Sequence, residues 1–297
     1  MDEKKPPRVS IVVRAFGEQE LTYACLDSIC GHTPEDDYEL ILVDQAGLKD
    51  WADDSTDLGK RLEMHLWCDF LVITQENLGA VTATNLGLQI AMTRPSDLVL
   101  ILDNDTRIPK GDTGWLERWV HHFDNEEIGA AGAVTDYVSG PQNIAVVPRT
   151  HTKALVRDGK VMTQTGPIFV PWLISFACMY RKAALKSMPA SKYGVQEIAG
   201  MVRGDGTFDQ SIEDWQESYL WDERFNPGNW EDIDVSVRMG SRGWKLTVAR
   251  DVYIHHRGSV TFKKGDFEGL LQVNREKGRE KWGERILEQL QIMRRVG

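Results

Sequence analysis

The chain has 297 residues, of which 41% are hydrophobic and 27% are charged, and its formal net charge at pH 7 is −10. These fractions are ordinary for a folded, soluble enzyme with a large core. The negative charge argues against binding along a nucleic-acid backbone, which requires clustered lysines and arginines, so we expect no nucleic-acid partner. A small nucleotide remains compatible with this charge, because a bound metal ion can neutralise its phosphates.

The cysteine and hydropathy patterns favour a reducing compartment. The four cysteines, Cys25, Cys30, Cys68 and Cys178, form no C-x-x-C pair and no metal-ligand spacing, which favours free thiols. The first residues lack the apolar stretch of a signal peptide, and no apolar run reaches the roughly 20 residues of a transmembrane helix. We therefore predict a cytoplasmic protein without a transmembrane anchor, and peripheral attachment to a membrane stays open.

Residues 8–106 alternate between short apolar runs and amphipathic segments. Such alternation is typical of right-handed βαβ units, which build a largely parallel, Rossmann-like sheet with helices on its faces. The predicted strands are 9–14, 39–44, 69–74 and 98–102, and the predicted helices are 18–30, 55–65 and 79–93.

The second half of the chain has a less regular pattern. Residues 136–170 are rich in Val, Thr, Gly and Pro and are predicted to form short antiparallel strands. The other elements predicted here are a helix at 114–124, a strand at 129–134, a strand and helix within 171–186, a helix up to Arg242, a strand ending in His255-His256, and a charged amphipathic helix or helix pair over 266–295.

One apolar strand runs directly into two acids, Asp103 and Asp105. Burying an unpaired carboxylate is costly, so two acids after a buried strand favour a ligand over packing. Ligands of open α/β sheets bind beyond the carboxyl ends of the strands, and carboxylate oxygens there suit Mg²⁺ or Mn²⁺ with a phosphate-bearing substrate. A lone Asp-x-Asp also occurs as a helix cap and a turn residue, so a second constellation is needed to decide.

That second constellation is Trp230-Glu231-Asp232, ahead of a helical segment. The motifs in chain order are Val9–Phe16, Glu39–Asp44, Asn77-Leu78-Gly79 with Asn85-Leu86-Gly87, Asp103 with Asp105, Trp230-Glu231-Asp232, Gly243-Trp244 and His256–Ser259. Any one of them is a weak signal, but the ordered set over residues 8–262 is specific. It resembles the inverting family 2 glycosyltransferases, which have the GT-A fold.

The resemblance implies an α/β fold of the GT-A type: a Rossmann-like, mostly parallel sheet flanked by helices, with an antiparallel acceptor-side portion. It divides the chain into a GT-A domain at 1–265 and a C-terminal helical extension at 266–297. Within the domain, 1–134 would bind the nucleotide sugar and 135–265 would form the acceptor side. Residues 190–219 are an insertion relative to the family, either a surface loop or a lid that shapes acceptor choice.

The resemblance also implies a divalent metal ion, Mn²⁺ or Mg²⁺, held by Asp103, Asp105 and His256. Asp105 would bind it directly, and Asp103 would lie nearer the ribose and reach the ion through water. Adjacent residues of a strand face opposite sides, so only one of His255 and His256 can face the site. His256 is preferred because Gly258-Ser259 follows it as in the family, and the alternative is a core histidine with satisfied hydrogen bonds.

For catalysis, the resemblance makes Asp232 the general base that takes the acceptor proton. Glu231 would bind acceptor hydroxyls or orient the base. Trp230 could desolvate Asp232 and raise its pKa, and together with Trp172 it is predicted to contact the acceptor. The competing interpretation is that these acids only mark a helix N-terminus, where negative charge is favoured.

Donor-binding residues are expected mainly in the first half. Asp44 matches the family's acid that accepts from the nucleotide base, and Gly79 would let the chain pass close to the diphosphate at a helix N-terminus. The turn after the first strand is divergent, and Thr84 stands where the family often has an arginine. The full set expected to contact the nucleotide sugar is Ala15, Phe16, Glu18, Asp44, Asn77, Gly79, Asn85, Asp103 and Asn104.

The leading hypothesis is a metal-dependent, inverting hexosyltransferase that moves a sugar from a UDP-, GDP- or dTDP-sugar donor to an acceptor hydroxyl. The acceptor could be a glycan, a lipid-linked glycan, a protein or a small molecule, and the oligomeric state is open. One alternative, a sugar-phosphate nucleotidylyltransferase, needs a Gly-rich, Lys/Arg-bearing loop after the first strand, and Arg14–Glu18 supplies too little of it. A catalytically inactive carbohydrate-binding or scaffold protein, the other alternative, needs neither a base nor a metal.

Overall fold

The computed structural model describes residues 7–45, 63–138, 140–144, 168–192, 218–258, 267–284 and 288. The strands are β1 (Val9–Ala15), β2 (Tyr38–Asp44), β3 (Phe70–Ile73), β4 (Leu98–Asp103), β5 (Thr106–Arg107), β6 (Ile128–Val134), β7 (Ile168–Phe169), β8 (Ala177–Arg181), β9 (Lys245–Tyr253) and β10 (His255–His256). Eight of them form one sheet in the order β3-β2-β1-β4-β8-β6-β9-β7, and β5 pairs with β10.

The large sheet is mostly parallel. Strands β1 to β4 pair in parallel, and so do β6 and β9. Strand β8 runs antiparallel to both β4 and β6, and β7 runs antiparallel to β9. Every residue of β1 is buried, as expected for a parallel strand covered by helices on both faces. The predicted α/β class, with its antiparallel portion, is therefore confirmed.

Helices cover both faces of this sheet and create two apolar cores. The helices are α1 (Gln19–His32), α2 (Ala80–Ala91), α3 (Trp115–His121), α4 (Lys182–Ser187), α5 (Glu231–Ser241) and α6 (Phe267–Trp282). Helices α2, α4 and α5 contribute to one core, and α1 and α3 contribute to the other. Representative core side chains are Val81, Leu88 and Met239 on the first face and Leu26, Trp115 and Trp119 on the second.

The small sheet brings the late part of the chain to the end of β4. His256 pairs with Thr106, and Thr106 is the residue that follows the Asp-x-Asp motif in the chain. The expectation of one strand ending in His255-His256 was wrong. Strand β9 ends at Tyr253, and the histidines leave the main sheet because β5 offers them a separate antiparallel partner.

The other predicted elements fall into two groups. Apart from the helix at 55–65, the strands and helices of the first half are confirmed with small shifts at their ends, and the predicted helix in 266–295 is observed as α6. The predicted helix at 55–65 and the segment 136–170 lie largely outside the described residues, as does the insertion 190–219 apart from its ends. The boundaries at 134 and 265 stay predictions.

Two further expectations concern thiols and membranes. All four cysteines are free, and Cys25 and Cys178 are buried. Within the described ranges, no helix has both the length and the apolar character needed to cross a bilayer.

Candidate active site

Three neighbouring parallel strands end at the same edge of the sheet and carry polar residues there. Strands β1, β2 and β4 run in register, so that Ala15 lies beside Asp44 and Arg14 lies beside Asp103. Asp105 follows in the turn between β4 and β5. The candidate residues therefore gather where open α/β sheets bind their ligands.

Asp103, Asp105 and His256 form a compact group at this edge. Each offers one ligand atom, and these atoms all lie within 4.8 Å of one another. Oδ2 of Asp105 accepts a hydrogen bond from the backbone N–H of Gly258 at 3.0 Å. Oδ1 of Asp105 is buried and has no hydrogen-bond partner among the described residues, although Nε2 of His256 lies 3.3 Å away. A buried, unsatisfied carboxylate oxygen beside two further ligands suits a divalent cation.

Backbone and ring contacts orient His256. Its Nδ1 donates to the carbonyl of Tyr137 at 2.9 Å, and its ring stacks on Phe176 with a centroid distance of 4.6 Å. The lone pair of Nε2 in the neutral ring is thus directed to the acids. Burial lowers the pKa of His256, but the close carboxylate of Asp105 and the charge of Asp103 outweigh it and raise the pKa overall. His255 is exposed and packs against Tyr253 instead.

Arg14 connects the acidic group to the rest of the site, and sequence reasoning missed it. Its Nε donates to Oδ1 of Asp103 at 2.5 Å, and its Nη1 donates to Oγ1 of Thr84 at 2.9 Å. Its Nη2 donates to Oγ and to the carbonyl of Ser175 at 3.0 and 3.3 Å. The side chain is only 7% exposed. An arginine near the carboxyl end of a mostly apolar strand is the signal that could have found it.

Glu231 and Asp232 begin α5 within the electrostatic reach of Arg14. Glu231 is buried, and its Oε2 has no hydrogen-bond partner in the described part of the chain. Burial raises the pKa of Glu231 to about 8, and the charge of Asp232 adds to this. Burial also raises the pKa of Asp232 to about 6, against the opposing backbone hydrogen bond of Ile233 and the charge of Arg14. A carboxylate with such a pKa suits proton acceptance near neutral pH.

The residues predicted to hold the nucleotide base lie at the ends of β1 and β2. Ala15 is buried, and Phe16 is partly buried in the turn that follows it. Glu18 is exposed there, has a φ of 46° and precedes α1. Oδ2 of Asp44 lies 3.9 Å from Nε2 of His65. The structure brings these residues to the predicted edge, and their contacts with a nucleotide stay predictions.

Two other predicted donor contacts, Asn104 and Asn85, are engaged within the protein. Nδ2 of Asn104 donates to Oγ1 of Thr22 at 2.8 Å. Oδ1 of Asn85 accepts from the backbone N–H of Trp221 at 2.7 Å, and its Nδ2 donates to the Trp221 carbonyl at 3.0 Å. Asn85 is 4% exposed, so these bonds account for its amide, and a donor contact stays a prediction.

Gly79 is required by a loop that the sequence did not connect with it. It has a φ of 87°, and a Cβ placed there would lie 2.1 Å from Oδ1 of Asn226 and 2.8 Å from Cα of Pro227. The N–H of Ala80 donates to the carbonyl of Pro227 at 2.7 Å. Oδ1 of Asn77 accepts from the N–H of Gly79 at 2.9 Å. The expected approach of Asn77 and Gly79 to a diphosphate stays a prediction.

Both tryptophans predicted to contact the acceptor are packed into the protein. Trp172 is 4% exposed and Trp230 is 7% exposed. The Trp172 ring lies against Gly140, and the Trp230 ring lies against Gly278 in α6. Packing accounts for both rings, and their contact with an acceptor stays a prediction.

Solved structures with a similar fold share little sequence with this chain. A crystal structure of GalNAc-T7 with UDP, GalNAc and Mn²⁺ has a TM-score of 0.55 at 13% identity, covering 86% of this chain and 44% of that one. S. aureus TarS 1–349 has a TM-score of 0.50 at 15% identity, covering 86% and 62%. The mannosyltransferase PcManGT from Pyrobaculum calidifontis, in complex with GDP-Man and Mn²⁺, has a TM-score of 0.51 at 18% identity, covering 91% and 70%. At these identities the likeness shows the fold, and this chain spans less than two thirds of the GalNAc-T7 and TarS chains.

Comparison of sequences identifies the family. No curated protein matches this chain. The family model described as glycosyl transferase family 2, however, matches residues 10–188, which is more than half of the chain. The matched part contains β1 from its second residue, β2 to β4 and the two acids of the Asp-x-Asp motif. The chain therefore belongs to glycosyl transferase family 2.

Proposed function

We propose that this protein is a metal-dependent, inverting glycosyltransferase that moves a sugar from a nucleoside-diphosphate sugar to an acceptor hydroxyl. The observation that carries the proposal is the convergence of two acidic groups on Arg14. One is Asp103 in the cluster that fits a cation, and the other is the pair Glu231 and Asp232, whose pKa values burial raises. Family membership supports the proposal, and so do the ligands of two structural relatives, UDP with Mn²⁺ and GDP-Man with Mn²⁺.

Asp103, Asp105 and His256 would hold the divalent cation. Two carboxylates and a neutral imidazole suit Mn²⁺, whereas Mg²⁺ prefers oxygen ligands alone. When bound, the cation neutralises charge on the diphosphate and so makes it a better leaving group. The protein contributes orientation: Gly258 holds the carboxylate of Asp105, and Tyr137 holds the imidazole ring.

Asp232 is the proposed general base. Its carboxylate takes the proton of the acceptor hydroxyl as the hydroxyl oxygen attacks the anomeric carbon from the side opposite the diphosphate. The bond between the anomeric carbon and the diphosphate oxygen breaks, and its electron pair leaves with the nucleoside diphosphate. The configuration at the anomeric carbon is thereby inverted. A pKa of about 6 leaves Asp232 ionised at neutral pH and still able to accept a proton.

Glu231 and Arg14 are proposed to tune this base. With a pKa of about 8, Glu231 is largely protonated at neutral pH and can donate a hydrogen bond to an acceptor oxygen or to Asp232. Arg14 stays cationic and limits the net negative charge of the acids around it. It also holds Asp103 in place.

The nucleotide is proposed to lie across the ends of β1, β2 and β4. Asp44 and the turn from Ala15 to Glu18 would contact its base, and Asp103 and Asn104 would lie nearer the ribose. The acceptor would be a glycan, a lipid-linked glycan or a small molecule with a free hydroxyl.

A panel of UDP-, GDP- and dTDP-sugars, each incubated with the purified protein and Mn²⁺, tests the proposal. We expect one donor to release nucleoside diphosphate slowly by hydrolysis, and this release to cease in excess chelator. NMR of the first-formed sugar should show the inverted anomeric configuration. Exchange of pyrophosphate would instead indicate a nucleotidylyltransferase, and the absence of any reaction or binding would indicate a scaffold.

A further inference from the structure

One face of the C-terminal helix α6 contacts the segment that contains the proposed base. The segment runs from Asp222 to Asp234 and contains the start of α5. The contacting residues recur at helical spacing, which places them on one face. They are Asn274, Lys277, Gly278, Lys281 and Trp282.

Asn274 binds the turn immediately before Trp230. Its Nδ2 lies 2.8 Å from the carbonyl oxygens of Phe225 and Gly228 and 3.1 Å from that of Asn229. Its Oδ1 accepts from Nζ of Lys277 at 2.9 Å, so the amide orientation is set at both ends. Asn274 has no exposed surface. One buried side chain therefore binds three carbonyl oxygens between the end of a 3-10 helix at Phe225 and the start of α5.

Lys281 binds the two ends of the same segment. Its Nζ lies 2.7 Å from Oδ2 of Asp222 and 2.6 Å from Oδ1 of Asp234. Nε1 of Trp282 also donates to Oδ1 of Asp234, at 2.9 Å. All four side chains are buried, and unpaired buried charge is strongly unfavourable. These contacts hold the first turn of α5 at a fixed distance from α6.

Gly278 completes the contact on the same face. A Cβ at this position would lie 2.5 Å from Cε3 of Trp230. Trp230 has a φ of 80° and immediately precedes Glu231 and Asp232. Because Gly278 has no side chain, the Trp230 ring can pack closely against α6 at this position.

We propose that Asn274 is a positioning residue for the transfer step: by holding the turn from Phe225 to Asn229, it sets where α5 begins and so where Asp232 points. Helix α6 is then an integral part of the catalytic site, although it lies beyond the region matched by the family model. The inference rests on the proposed role of Asp232 as the base. It requires that loss of Asn274 affects turnover more than donor binding, because most of the residues proposed to bind the donor lie at the ends of β1, β2 and β4, and of that set Gly79 packs directly against this turn.

The variant Asn274→Ala tests this. Turnover is measured with the nucleotide sugar that the wild-type protein hydrolyses fastest in Mn²⁺, and binding is measured by calorimetry with the matching nucleoside diphosphate and Mn²⁺. We expect kcat to fall about 10- to 100-fold, the scale of a displaced catalytic group, with Kd changed less than about twofold. Hydrogen exchange should become faster in the peptide covering Phe225 to Asp234 and stay unchanged in β1 and β4.

Two further variants make the test decisive. Gly278→Ala removes no hydrogen-bonding group but forces the Trp230 ring to shift, so it should bind the nucleoside diphosphate and lose turnover in the same way. Gln272→Ala, on the exposed side of α6, is the matched control and should behave as wild type.

The outcomes separate this inference from the proposed function. A wild-type protein that releases no nucleoside diphosphate from any donor removes both. An active wild type that depends on Asp232 but is unaffected by Asn274→Ala and Gly278→Ala removes the inference alone. Equal losses in kcat and nucleotide binding, with faster exchange throughout the sheet, would also overturn it, because α6 would then support only the fold as a whole.

Discussion

Arg14 and Asp103 lie at the carboxyl ends of two neighbouring parallel strands, are paired in register, and meet through Nε and Oδ1 at 2.5 Å. An arginine keeps its charge under all ordinary conditions. The same guanidinium reaches Thr84 in α2 and Ser175 before β8. The Arg14 side chain thus joins the donor side of the site to the segment beside the proposed base.

Replacing Arg14 by Met should therefore damage both stability and function. Arg14 is buried but its partner Asp103 is 30% exposed, so the loss should be about 2 kcal/mol, below that for a fully buried ion pair. Displacement of Asp103 should lower kcat/KM about 10²-fold. Denaturant unfolding and donor titration in Mn²⁺ measure the two effects. Arg94→Met is the matched control, because Arg94 also pairs with a buried carboxylate, Glu39. Arg94 precedes the amino end of β4, whereas the site lies at the carboxyl ends of the strands. The control variant should lose stability and retain nucleotide affinity, and similar kcat/KM losses in both variants would contradict the assignment.

The sheet and its acidic edge were predictable because their signals are local. A short apolar run predicts a buried strand, and a following pair of acids marks its carboxyl end, so β4 with Asp103 and Asp105 could be found from adjacent residues. The order of motifs then connected them with His256. The family match confirms the family, and the three side chains do lie together. Their role as metal ligands stays a prediction.

Contacts between distant segments were not predictable in the same way. The need for a glycine at position 79 arises from Asn226 and Pro227, which lie almost 150 residues later in the chain. Trp172 and Trp230 were predicted to contact an acceptor, but both rings are buried against other parts of the protein. No pattern in the adjacent sequence predicts that packing. Periodicity reports which face of an element is apolar, but it does not report what covers that face.

Asp232→Asn should strongly reduce turnover while leaving the donor site intact. The amide has nearly the same shape as the carboxylate and cannot take a proton from the acceptor, so kcat should fall by about 10² or more. Release of nucleoside diphosphate measures turnover, and calorimetry with the nucleoside diphosphate and Mn²⁺ measures binding. A variant with nearly wild-type kcat would remove Asp232 from the mechanism.

The rate should depend on pH through the same residue. Burial raises the pKa of Asp232 to about 6, so the base is protonated and inactive below this pH and ionised above it. We expect kcat/KM at saturating Mn²⁺ to rise with pH and to level off above about 6. The residual activity of Asp232→Asn provides the control, since it should lack this acidic limb. If the limb persists there, another group, such as His256, is responsible for it.

Metal dependence should distinguish the two adjacent histidines. His256→Ala removes the imidazole that faces Asp105, so nucleoside diphosphate binding in Mn²⁺ should weaken at least about tenfold, the scale known for altered metal environments. His255→Ala is the control, because that side chain is exposed, and its binding should be unchanged. Isothermal titrations with and without Mn²⁺ measure both. If His255→Ala were the damaging change, the ligand assignment would be reversed.

Gly79→Ala should destabilise the protein through the loop before α5. Alanine strains a backbone with a φ of 87° and places a methyl group against Asn226 and the backbone of Pro227, so we expect a loss of about 3 kcal/mol in the free energy of unfolding. Gly17→Ala is the matched control: its φ of 58° is also positive, but no atom lies within 4 Å of the added Cβ. It should lose only about 1 kcal/mol from backbone strain. Urea unfolding of both variants measures the difference, and equal losses would show that the contact with Asn226 and Pro227 contributes nothing beyond the backbone conformation.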